Sequence, residues 1–162
     1  MNPSDILKYG HRTLHQSLQD LPDSEWEAGD VCGIWSTKDV LSHLTSYEWM
    51  LVDVLNSFLG VEDAPVLNQM RTLPPDEFNR SQVEQRRGKT AREVLAELDE
   101  AHRRVMALVG QIPPETWRQA GTLPWYGDEY ALDDFIVYTF YGHKREHSAQ
   151  VNAFKDVLKK RG

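Results

Sequence analysis

Phe140-Tyr-Gly-His-Lys-Arg-Glu-His-Ser-Ala-Gln150 is the stretch from which the rest of the chain is best read. It sets His143 and His147 one helical turn apart within the series Ile136, Phe140, His143, His147, Gln150, Phe154 and Val157. Steps that alternate between four and three residues trace the inward seam of a helix packed in a bundle. The seam is apolar at both ends and polar in the middle. Residues at i and i+4 stand one above the other, so both imidazoles face the same interior space. A divalent metal satisfies two such rings at once. A second reading is open here: His143, His147 and Gln150 as a hydrogen-bonded polar layer that fixes helix register.

Working outward, the helix that carries this motif spans about Leu132 to Lys160, and three more helices precede it. The first starts at Asn2-Pro3-Ser4-Asp5, a polar cap followed by proline at the first helical position. Its apolar face holds Leu7, Leu14, Leu18 and Leu21, with His11 on the same side. His11 reads as a hydrogen-bonded core residue; with His15 it also has metal spacing, but no third histidine is tied to the pair by pattern. The second helix opens with Ser36-Thr37-Lys38-Asp39, a capping box flanked by a Trp35/Val40 staple, and runs inward along Val40, Leu44, Tyr47, Leu51, Val54 and Phe58. His43 lies beside that seam and can reach inward. The third helix opens with a second capping box, Thr90-Ala91-Arg92-Glu93, follows Val94, Leu98, Ala101, Val105, Leu108 and Ile112, and stops before Pro113-Pro114. His102 sits at its boundary.

The connections carry the proline and glycine. Leu21 to Gly33 holds Trp26 and Cys32, which read as packing residues. Gly60 to Gly88 reads as a long irregular crossover with one short helix between Asp76 and Arg80, of the kind that covers a site or a partner surface. The basic residues Arg86, Arg87 and Lys89 around its end read as a solvated turn. Pro114 to Gly127 brings Trp117, Trp125 and Tyr126, which either cap the core or wall a pocket over the histidines. The pattern contains no phosphate loop, nucleophile elbow, repeat or strand-like alternation. The fold class is therefore all-α, a four-helix bundle with a long crossover between its second and third helices, filling residues 1–162 as one domain.

A net charge of −7 argues against a nucleic-acid partner or an anionic membrane surface, each of which needs a concentrated basic face. No run reaches the ~18 apolar residues of a membrane span, and the first residues lack a secretory core. One cysteine forms no internal disulfide, so a reducing cytoplasm is the expected location.

Three segments together carry a family likeness: WSTKDVLSHLTSYEWML (residues 35–51), TAREVLAELDEAHRRVMALV (90–109) and YGHKREHSAQV (141–151). Their order, and the combination Trp-Ser-x-x-Asp-x-x-x-His-Leu with a distant His-x3-His, resemble the DinB-like, YfiT-like superfamily of four-helix proteins, the ClbS/DfsB group above all. The resemblance implies a bundle that holds one divalent metal, nickel or zinc, on His43, His143 and His147. It also implies a homodimer, for which Trp49 and Met50 are candidate exposed contacts. The superfamily is functionally mixed. It includes thiol-dependent transferases, metal-dependent hydrolases and resistance proteins that act on a reactive natural product. The implied function is thus a metal-dependent hydrolase or thiol transferase acting on a small electrophile in stress or detoxification. The alternative is a non-catalytic bundle stapled by its metal, or one that sequesters a small molecule. No catalytic acid or base aligns. Asp39, a turn before His43, is either a cap or a carboxylate that orients the imidazole, and Glu146 falls on the flank of its helix.

Overall fold

The computed structural model describes residues 2–162. Its helices are α1 (Pro3–Leu18), α2 (Thr37–Ser57), α3 (Pro65–Thr72), α4 (Pro75–Gln85), α5 (Ala91–Val109), α6 (Pro114–Trp117), α7 (Leu132–Ile136) and α8 (Gly142–Arg161). A π turn, Val137–Tyr141, joins α7 to α8. The described residues contain no strand, only an isolated bridge between Cys32 and Trp35. The all-α bundle is as the periodicity predicts. Its four long members are α1, α2, α5 and the continuous α7–π–α8 unit; α2 packs mainly on α5 and α1 on α8. Among the described residues, no helix is long and apolar enough to cross a membrane.

The helix starts follow from local chemistry. Asn2 Oδ1 accepts the Asp5 amide at 2.9 Å. At α2, Ser36 Oγ accepts from the Asp39 amide and Asp39 Oδ2 from the Ser36 amide, both at 3.1 Å. Thr90 and Glu93 exchange the same two bonds at α5. Each pair satisfies amide donors that the first turn leaves without an intrahelical acceptor.

The crossover departs from the irregular segment expected. It forms two helices, because Pro65 and Pro75 each stand at a first helical position, where a missing N–H costs nothing. Asp53 of α2 holds the first of them in place, its Oδ2 accepting the Val66 and Leu67 amides at 2.8 and 3.0 Å. Arg86 is buried rather than solvated: Nε and Nη2 both donate to Glu97 Oε2, at 3.0 and 2.7 Å, which ties the end of α4 to α5.

The π turn corrects the seam of the last helix. An i→i+5 turn adds a residue to the repeat and rotates the remainder of the helix by about 100°. Ile136 and Phe140 stay in the core, but beyond the turn the buried positions are Lys144, His147, Ser148 and Val151. His143 moves to the half-buried rim, and Val157 is 42 % exposed. On α5, Val109 takes the buried place assigned to Leu108. Trp49 and Met50 do not form an exposed patch: Met50 is buried, and Trp49 donates to Glu97 and lies under Arg104.

The core is two apolar clusters. One gathers Leu7, Leu51, Val105, Phe135 and Phe140; the other gathers Leu14, Leu44, Leu98 and Val151. Between them in chain order, the four long helices carry the titratable residues His11, Glu48, His102 and Lys144. Lys144 and Glu48 form an ion pair in the middle of the bundle. His102 Nδ1 stands 3.9 Å from the same carboxylate and stacks on His11 at 3.8 Å between ring centroids.

Candidate metal centre

α2 supplies His43 two turns after its cap, where nearly every side chain is buried. α8 supplies His143 and His147 immediately after the π turn, an element that recurs where helices are remodelled around a site. Across the α2–α8 seam, His43 Nε2 lies 2.9 Å from His143 Nε2, which lies 3.0 Å from His147 Nε2. The three donor atoms converge within one metal-sized space.

The chemistry of this donor set suits a cation. Two imidazole lone pairs at hydrogen-bond distance repel unless a proton or a cation lies between them. Gln150 Oε1 accepts a hydrogen bond from His147 Nδ1–H at 2.7 Å, which turns the Nε2 lone pair of that ring toward its neighbours. Asn79, on α4, lies near His43 and opposes the lowering of its pKa, while Asn79 Oδ1 and His43 Nδ1 are both buried without a hydrogen-bond partner. All three rings are held neutral. Burial, then the neighbouring His143 and His147, lowers His43 to about 3. Burial, then His147 and Lys144, lowers His143 to about 4. Burial also lowers His147, against the opposing pull of Gln150 and Glu146. Neutral, converging and externally oriented Nε2 atoms fit a borderline divalent metal.

On the solvent side, Tyr47, Tyr138, Thr139, Gly142, His143 and Glu146 line an open cleft of about 280 Å³. The Tyr47 ring packs against His43 and His143, with centroids 4.9 and 4.8 Å apart, and burial raises its phenol pKa. Glu146 is exposed at the rim, as its flank position predicts. Asp39 is occupied by its cap. The aromatic residues of the 114–127 connection do not wall this cleft. Trp117 is buried in the core, and Trp125 and Tyr126 pack on Phe135 at 5.5 and 4.9 Å, closing the end of the bundle. Gln150 and Asn79 complete the surroundings of the histidines. Gln150 was legible one turn after His147, whereas Asn79 arrives from a helix the sequence pattern underestimates.

A second group also assembles. His11 and His15 of α1 meet Asp99 of α5, with Nε2 to Oδ1 distances of 2.9 and 2.7 Å.

A comparison with curated proteins returns no match. Among known families, residues 6–151 match the DinB superfamily. That span starts in α1, ends in α8 and includes all three converging histidines. The chain belongs to the DinB superfamily.

Proposed function

We propose that His43, His143 and His147 hold one divalent cation, nickel or zinc, and that the protein is a hydrolase or thiol-dependent transferase acting on a small electrophile in stress or detoxification chemistry. The observation that carries the reading is the pairing of three neutral imidazoles with a cleft against His143 on their solvent side. A cation held there supplies Lewis acidity, polarising an electrophile and acidifying a water or thiol.

The protein's own groups do the rest. Gln150 holds His147 in the tautomer that presents Nε2. Tyr47 keeps its proton at neutral pH and is placed to donate to an oxygen that gains charge in the cleft. Glu146, in the same cleft, is placed to receive a proton from an incoming nucleophile. Phe78 of α4 packs edge-on to Tyr47, at 6.3 Å, and so helps keep the inner wall dry. The cleft volume suits a substrate of modest size. Association of two copies through a bundle face belongs to the same reading, without Trp49 or Met50 as contacts.

The test compares untagged metal-loaded protein, chelator-treated protein and His43→Ala on activated esters, epoxides and thiol–electrophile pairs. Turnover that needs both metal and His43 supports the enzyme. Loss of thermal stability alone in His43→Ala, with no turnover by wild type across the panel, replaces it with a metal-stapled bundle.

A further inference from the structure

The second seam of the bundle, between α1 and α5, carries its own donor set. His11 and His15 stand one turn apart on α1, and their Nε2 atoms converge on a single oxygen, Asp99 Oδ1, at 2.9 and 2.7 Å. Together the three donor atoms lie within 4.8 Å of one another. A metal bound at about 2.0–2.2 Å from each donor requires them to part only slightly from these distances.

Charge points the same way. Among the described residues, no Lys or Arg pairs with Asp99; its partners are the two imidazoles. The nearest cations along α5, Arg103 and Arg104, are both spent on Glu100. His11 is half-buried in this seam. Its ring is also fixed: it stacks on His102 at 3.8 Å with an interplanar angle of 6°, and meets His15 edge-on at 4.7 Å. The carboxylate thus faces two donor rings and no fixed positive charge. His15 and Asp99 are 38 % and 30 % exposed, so water can complete a coordination sphere from outside.

We propose that His11, His15 and Asp99 form a second, separate site for a first-row divalent cation, which clamps α1 onto α5. Two imidazoles and one carboxylate select zinc, cobalt, nickel or copper over magnesium or calcium. The clamp lies across the bundle from His43, His143 and His147, with the Glu48–Lys144 pair between the two.

The experiment is equilibrium dialysis of untagged, chelator-stripped protein against Co²⁺, with metal content and cobalt absorption read per chain and folding checked by circular dichroism. The expected stoichiometry is two for wild type, one for His143→Ala, one for Asp99→Asn or His15→Gln, and none when His143→Ala and Asp99→Asn are combined. The rise in Tm caused by Co²⁺ should persist in part in His143→Ala and vanish in the combined variant. One equivalent in wild type that disappears in His143→Ala would reduce the cluster to a hydrogen-bonded trio. A second equivalent that survives both Asp99→Asn and His15→Gln would place it elsewhere and also overturn the proposal. One equivalent that resists His143→Ala but is lost in Asp99→Asn would uphold this site while removing the metal from the three-histidine centre.

Discussion

Lys144 Nζ and the Glu48 carboxylate form an ion pair at the centre of the bundle, with side chains 3 % and 0 % exposed. Lys144 immediately follows His143, so the residue that presents one imidazole toward the cleft is anchored from behind by a charge in the core. Burial is the largest influence on the Glu48 carboxyl and would raise it, but Lys144 and His102 together outweigh burial and the net direction is down. α1 packs on α8 at this level through Gly10: a Cβ there would stand 3.5 Å from Tyr141 and 3.7 Å from Lys144, ordinary van der Waals contact.

Removing one partner strands the other charge in a dry interior. Glu48→Leu and Lys144→Met should each lower unfolding stability by about 3–5 kcal/mol in urea titrations. The double variant should recover much of that loss, since apolar replacements of both partners leave no orphaned ion. A double variant as unstable as the sum of the singles would contradict this account.

Local rules made the helix starts legible: Ser36/Asp39 and Thr90/Glu93 are bonds between neighbours, written in four consecutive residues. His143 and His147 were legible as an i, i+4 pair, although the π turn moves His143 to the rim, and His43 only as a residue beside its seam that the family likeness joined to them. Glu48 and Lys144 were not, since a charged residue amid apolar ones signals burial only once its partner on another helix is known. The same limit hid Asp99, which lies 88 residues from His11 and 84 from His15. In the crossover, Pro65 starts a helix but reads as a breaker, so α3 went unseen, and α4 was legible only over Asp76 to Arg80; Asn79 fell within that stretch, but nothing in the pattern tied it to His43.

Metal-free protein should lose stability steeply on mild acidification. The His43 and His143 imidazoles are lowered to about 3 and about 4, from burial first, while in the unfolded chain they titrate near the ordinary value of 6.5. Between those limits the unfolded state binds protons that the native state refuses, so stability falls as pH drops below 6.5 and goes on falling to the folded values. Each such histidine contributes a slope of about 1.4 kcal/mol per pH unit. Urea midpoints measured in the presence of chelator from pH 7 to 4.5 should show the decline, and His43→Leu should make it shallower, with the lowered His11, His143 and His147 keeping the rest. Midpoints independent of pH in wild type would mean that the rings take up protons in the native state.

Gln150 is the most direct handle on the three-histidine centre that leaves its ligands intact. Its Oε1 accepts from His147 Nδ1 at 2.7 Å, so it selects the tautomer whose Nε2 faces His143. Partners of this kind typically cost about 10–100-fold in metal affinity when removed. Gln150→Leu should therefore weaken nickel or zinc binding by that order in chelator-competition titrations. Leucine packs beside the half-buried Phe154 but leaves the buried His147 Nδ1–H without its acceptor, so the metal-free Tm should fall modestly. Gln150→Glu should bind as tightly as wild type or more so, because a carboxylate accepts the same proton and makes the ring a stronger donor. The order of affinities, with glutamate at least equal to glutamine and both above leucine, separates orientation of the ring from mere packing. Identical affinities in all three proteins would show that His147 needs no help to present its nitrogen.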